Sequence, residues 1–175
     1  MGLFSRGGTD PLKGTNLDLG KGESVLAACV DADTGERLVA TTQRLLVLAA
    51  ATEADTVTAR LERPWHLVDT GSYDNESDVL TVTWVDRQPA LALHPDGHKP
   101  FLQAFRERVQ ASVVTAEALE LSEGRTVRIV IRKNLAADRL LDQVVLGAGV
   151  RLADPGGRER VMALRHSLRE QVGMS

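Results

Sequence analysis

The side chains best suited by type to chemistry fall in a few short stretches. Asp31-Ala32-Asp33-Thr34 sets two aspartates one residue apart, as phosphoryl transfer or a calcium loop would want. The next segment reads as another strand, whereas aiming a nucleophilic carboxylate takes a parallel α/β sheet. As a calcium loop it lacks a carboxylate at the fifth position and has Thr42 at the twelfth. His94 and His98, with Asp96 between them, are zinc-ligand types. Pro95 and Gly97 place them in a loop, and no third or fourth ligand is indicated. Gly147-Ala148-Gly149 is two-thirds of a dinucleotide fingerprint whose third glycine position is Leu152. Cys29 lies in the apolar run Val25-Leu26-Ala27-Ala28-Cys29-Val30, which reads as a buried, inert thiol. His66 and His166 stand alone. No catalytic or metal motif results, so the expectation is a non-enzyme with no cofactor.

The remaining chemistry is cationic. Residues 1–121 carry 11 basic and 18 acidic side chains, a balance of −7, and residues 122–175 carry 10 and 6, a balance of +4. Arg128, Arg132, Lys133, Arg158, Arg160, Arg165 and Arg169 are the candidate anion- or partner-binding residues. If the outward faces of a strand at 125–132 and of the last helix lie side by side, these residues form a stripe suited to phosphate backbones. No aromatic residue lies in 106–175, so a base-stacking platform is not available there. Interspersed Asp138, Asp142, Glu159 and Glu170 would neutralise much of the stripe. Gly156-Gly157, beside Arg158, can open a helix whose N-terminus accepts phosphate, although most such ends point at water.

The elements that must position these groups follow from periodicity. Apolar runs or alternation mark strands at 23–30, 36–41, 44–50, 56–61, 65–73, 78–85 and 90–94. Polar turns at 31–35, 52–55, 74–77 and 86–89 separate most of them. The first strand is apolar on both faces, so both are expected to be covered. Val57, Ala59 and Leu61 are expected inward on the fourth. Pro100 can begin a helix in which Phe101, Phe105, Val109 and Val113 recur every four residues. Residues 125–132 alternate as a strand. Residues 140–146 suit either helix or strand, and their shortness and the glycine ending favour strand. Asp154-Pro155 is a helix start. Val161, Leu164, Leu168 and Val172 then share a face up to Gly173. Residues 1–22 have no sustained periodicity and read as a flexible arm, with Leu17 and Leu19 able to pin its end.

Aromatic residues are only 3%, so the core must be mainly aliphatic. One cysteine excludes an internal disulfide framework. No apolar run is long enough for a membrane-spanning helix, and the N-terminus lacks a secretory signal, which makes the cytoplasm the expected location.

Seven strands closed by a helix, with the stretch Leu38-Val39-Ala40-Thr41-Thr42-Gln43-Arg44-Leu45-Leu46-Val47-Leu48 and Trp65 near the start of the fifth strand, resemble a bacterial pleckstrin-homology-like domain over residues 23–114. The whole chain is similar to an actinobacterial protein family that implies no function of its own. The expected fold is therefore α+β: a seven-stranded antiparallel barrel or sandwich capped by a helix, then a β-β-α extension over 115–175 packed on the body. The resemblance implies a binding module. Phosphoinositide-binding members use bases in the first loop; here that loop holds two acids and no base, so phosphoinositide binding is not expected. A protein-interaction or scaffold role follows, with a peptide held on a strand edge or beside the helix. Its alternatives are nucleic-acid or anionic-surface binding through the arginines, and an enzyme with an unrecognised site.

Overall fold

A computed structural model describes residues 10–50, 58–96, 99–122, 124–150 and 155–174. The turn expected at 52–55, together with Val57, His98, Arg151 and Asp154, lies outside the described residues. The described residues are α+β, mostly strand, with three antiparallel sheets and two α-helices. Its contacts divide it into two compact units, Met1–Gln110 and Ala111–Ser175.

In the N-terminal unit, β1 (Val25–Val30), β2 (Arg37–Thr41), β3 (Arg44–Leu48) and β4 (Ala59–Pro64) form one sheet in chain order. β5 (Val68–Asp74), β6 (Val79–Trp84) and β7 (Leu91–Leu93) form a second, followed by helix α1 (Lys99–Ser112). Among the described residues no hydrogen-bond ladder closes the two sheets into a barrel. They are joined at two corners. After β4 the Trp65 indole N–H donates to the Thr41 carbonyl at 2.9 Å, and Trp65 is fully buried. At the other corner the Ala32 N–H donates to the His94 carbonyl at 2.8 Å, and the His94 N–H donates to Asp31 Oδ2 at 2.7 Å.

Both faces of β2 and β3 are buried, as their near-continuous apolar runs require. One face packs Val39, Leu46 and Leu48 against Ala28, Leu12 and Leu17. Residues 10–22 are thus not a loose arm but a strap across the sheet, with Leu12 as an anchor beside the expected Leu17. Polar groups fasten it: Arg37 Nη1 donates to Thr15 Oγ1 at 2.6 Å and Arg44 Nη2 to the Asp18 carbonyl at 2.6 Å. Glu23 accepts from Thr41 Oγ1 at 2.6 Å, Arg44 Nε at 2.9 Å and the Gly20 N–H at 2.7 Å. Burial raises the Glu23 pKa, but these bonds outweigh it and hold the carboxyl below its ordinary value.

The expectation of full cover for β1 fails at Val25, Leu26 and Val30, which are exposed because β1 is the edge of its sheet. Ala59 is likewise exposed, as β4 is the opposite edge. Phe101 and Phe105 are buried as expected. Val113 is not part of that stripe: the helix ends at Ser112, and Val113 begins a strand with its side chain 37% exposed.

The C-terminal unit therefore has three strands where two were expected. β8 (Val113–Ser122), β9 (Arg125–Asn134) and β10 (Arg139–Leu146) pair in the order β10-β9-β8, followed by helix α2 (Pro155–Gln171). The β-branched run Val113-Val114-Thr115 favours extended backbone, which ends the helix and starts β8. The fourfold apolar spacing merely continues into it. Val127, Ile129 and Ile131 of β9 pack against Val161 and Leu168 of α2, with Leu164 and Val172 beside them. Gly173, at φ +72°, ends the helix, and the Met174 N–H returns to the Arg169 carbonyl at 2.8 Å.

Candidate functional site

The seven candidate basic residues do not share one surface. Val127, Ile129 and Ile131 face α2, so the alternating Arg128 and Arg132 lie on the opposite side of β9. The sheet therefore separates them from the arginines of α2. Arg132 is buried and donates from Nη1 to Ser112 Oγ at 3.0 Å. Lys133 pairs with Asp138 across the β9–β10 turn. Arg160 donates to the Glu120 carbonyl at 3.0 Å, and Arg158 is exposed in the first turns of α2.

Arg165 and Arg169 are brought together, on a carboxylate. Asp142 on β10 turns toward α2 from a position otherwise occupied by Leu140 and Val144. Its Oδ2 receives Arg165 Nε and, at 3.4 Å, Arg169 Nη1. The Arg165 hydrogen bond is the main reason its pKa lies below the ordinary range, against a burial effect that raises it. This is a clasp between helix and sheet.

The Asp31 loop forms the expected tight turn, with Gly35 at φ +70° and the Gly35 N–H on the Asp31 carbonyl at 2.9 Å. Asp31 is buried; its Oδ1 accepts the Asp33 N–H at 3.1 Å, the Thr34 N–H at 3.0 Å and the Thr34 hydroxyl at 3.0 Å. Burial alone would raise its pKa, yet these bonds and the His94 N–H on Oδ2 carry it below the ordinary value. A carboxylate so occupied holds the corner. Burial, with Asp31 and Asp96 nearby, pushes the Cys29 thiol up to about 12, which leaves no thiolate for chemistry at neutral pH. Among the described residues no group of three or more His, Cys, Asp or Glu side chains is placed to hold a metal.

The structure also presents a feature that motif reading missed, a cleft of about 450 Å³ in the N-terminal unit. Its floor is Thr70, Gly71 and Tyr73 of β5 with Leu80 of β6, and its wall is Leu102, Phe105, Arg106, Val109 and Gln110 of α1. The wall residues follow helical spacing on one face, so a single stripe of α1 both plugs the core and lines the opening. Gly71 sets the geometry. A Cβ there would sit 2.2 Å from Phe105 Cε1, so only glycine lets the ring lie on β5. Phe105 then meets Trp65 edge-on, ring centroids 5.6 Å apart and planes at 82°. A lone glycine inside the strand pattern at 65–73 was the one available sequence signal. β5 is also the edge of its sheet, paired with β6 alone among the described strands. The cleft is apolar inside and carries one cation, Arg106, exposed on its lining.

No protein-family model, no curated protein and no solved structure matches this chain.

Proposed function

We propose that the N-terminal unit is a non-catalytic peptide-binding module of pleckstrin-homology-like design. Its ligand is an extended segment that adds to the β5 edge and lowers an apolar side chain into the cleft beside α1. The carrying observation is the coincidence of an edge strand with an apolar cleft along that strand. Edge strands offer unpaired backbone groups for affinity, and a neighbouring pocket supplies side-chain selectivity. A volume of about 450 Å³ lies within the usual range for ligand sites. Arg106 on the lining favours an acidic residue next to the apolar anchor. The order of seven strands and a helix, in sheets of four and three, supports the family reading.

The test is selection of random twelve-residue peptides on the full chain and, in parallel, on Val109→Glu, which charges the cleft. The expected result is an apolar-acidic consensus enriched on the native chain and lost on the variant. Equal enrichment on both, or none on either, contradicts the proposal.

A further inference from the structure

The strap over the first sheet rests on a buried cation that meets a hydroxyl and a carbonyl. Arg37 is 7% exposed; Nε donates to the Ala49 carbonyl at 3.1 Å and Nη1 to Thr15 Oγ1 at 2.6 Å. Among the described residues no carboxylate lies within ion-pair distance of it. That sets it apart from Arg44, which holds Glu23 and Glu62, and from Arg165, which holds Asp142. A guanidinium taken out of water without an anion is costly, and a hydroxyl offsets little of that cost. The group that meets it is the side chain of a half-buried strap residue, just after a bend at Gly14, φ +73°. Around Thr15 the strap is held by two partly buried leucines, Leu12 and Leu17, and by a few hydrogen bonds, those of Arg37 and Arg44 among them. Among the described residues no strand ladder ties this segment to the sheet, so brief lifting exposes Thr15.

We propose that Thr15 is a phosphorylation site and that Arg37 receives the phosphate. The donor is a nucleoside triphosphate held by a protein kinase. Thr15 Oγ forms a bond to the terminal phosphorus, and the bond from that phosphorus to its bridging oxygen breaks. Nucleoside diphosphate leaves with that electron pair, and the hydroxyl proton passes to the kinase's base. When the strap settles back, a dianion faces the buried guanidinium where a neutral hydroxyl stood. Charge-assisted bonds of this kind are about twice as strong as neutral ones. The modification therefore locks the strap over Val39, Leu46 and Leu48.

The test uses the full chain with phosphothreonine incorporated at position 15. A phosphorus NMR titration should place the second phosphate ionisation at least ~0.5 pH units below the value of about 6 of an exposed phosphomonoester. Hydrogen exchange of the amides in residues 10–22 should slow by about tenfold relative to the unmodified chain, and Arg37→Gln should abolish both effects. An ordinary ionisation near 6, exchange that is unchanged or faster, or effects that persist in Arg37→Gln would each overturn the proposal. The phosphorus titration needs no variant, so it decides the matter even where Arg37→Gln fails to fold.

Discussion

Each unit lays one helix beside a three-stranded antiparallel sheet, and the two solve that problem differently. In the C-terminal unit α2 packs on β8 and β9, its apolar face meets Val127, Ile129 and Ile131, and Asp142 clasps it through two arginines. In the N-terminal unit α1 drives Phe101 and Phe105 into the core, while Leu102 and Val109 stay half-buried along an open cleft. The difference lies in what the half-buried part of each stripe meets. On α2, Leu164 and Val172 are half-buried too but pack against the Val127, Ile129 and Ile131 cluster, whereas on α1 Leu102 and Val109 line an open cleft.

Truncating one leucine in each helix tests this contrast most strongly. Leu168→Ala, at a fully buried position, should cost about 3 kcal/mol of stability, and Leu102→Ala, on the cleft, less than about 1 kcal/mol. Denaturant unfolding of the two variants reads this directly, and equal losses would mean that α1 is seated as completely as α2. Gly71→Ala should follow at about 2 kcal/mol, because the added methyl meets the Phe105 ring, with a change in near-ultraviolet dichroism as Phe105 leaves the Trp65 edge. A silent Gly71→Ala would show that the ring does not need β5 so close. The clasp is weaker. Asp142→Ala should cost about 1 kcal/mol, since Arg165 and Arg169 keep roughly a third of their side chains in water, and Asp142→Leu should cost less than Asp142→Ala. If Leu is the worse replacement, the clasp contributes more than packing does.

The smallest effect is on acid stability, which compares the Asp31 corner with the Asp142 clasp. Both carboxyls have folded-state pKa values below their ordinary ones. Their contributions are therefore complete above the unfolded value of about 3.9 and are lost as pH falls through the lower folded values. Asp31→Asn and Asp142→Asn should each flatten the fall in stability between about pH 4 and 2. Unchanged slopes would show that neither carboxylate is held by its neighbours in the folded state.

How far the sequence foretold these features depends on how local their cause is. Most of the first seven strands were legible because Asp31 to Gly35, Asp74 to Ser77 and Asp86 to Pro89 spell turns in their own side chains. The corner between the fourth and fifth was not, since β4 runs on to Pro64 and Trp65–Leu67 form a short 3-10 helix where a strand was expected. The α2 stripe and its glycine stop were legible for the same reason. β8 was not, since Val113 falls at a helical spacing from Val109 and the β-branched run that breaks the helix starts at that residue. The order in residues 10–22 was legible only at Leu17; Leu12 was hidden because its partners, Val39, Leu46 and Leu48, lie far along the chain. The arginines were visible as a charge excess, yet alternation on β9 sends Arg128 and Arg132 away from the face that meets α2. The cleft was least legible of all. Leu102, Phe105 and Val109 read as core, and only the meeting of Phe105 with Gly71 decides which of them remains open.

The most direct test of the central claim is a backbone amide spectrum of the labelled full chain, titrated with the peptide enriched on it. The account predicts saturable shifts centred on Thr70, Gly71, Ser72 and the α1 positions Leu102, Arg106 and Val109, with β8–β10 and α2 unmoved. Shifts centred on α2 or on the β1 edge, with β5 and α1 silent, would contradict it.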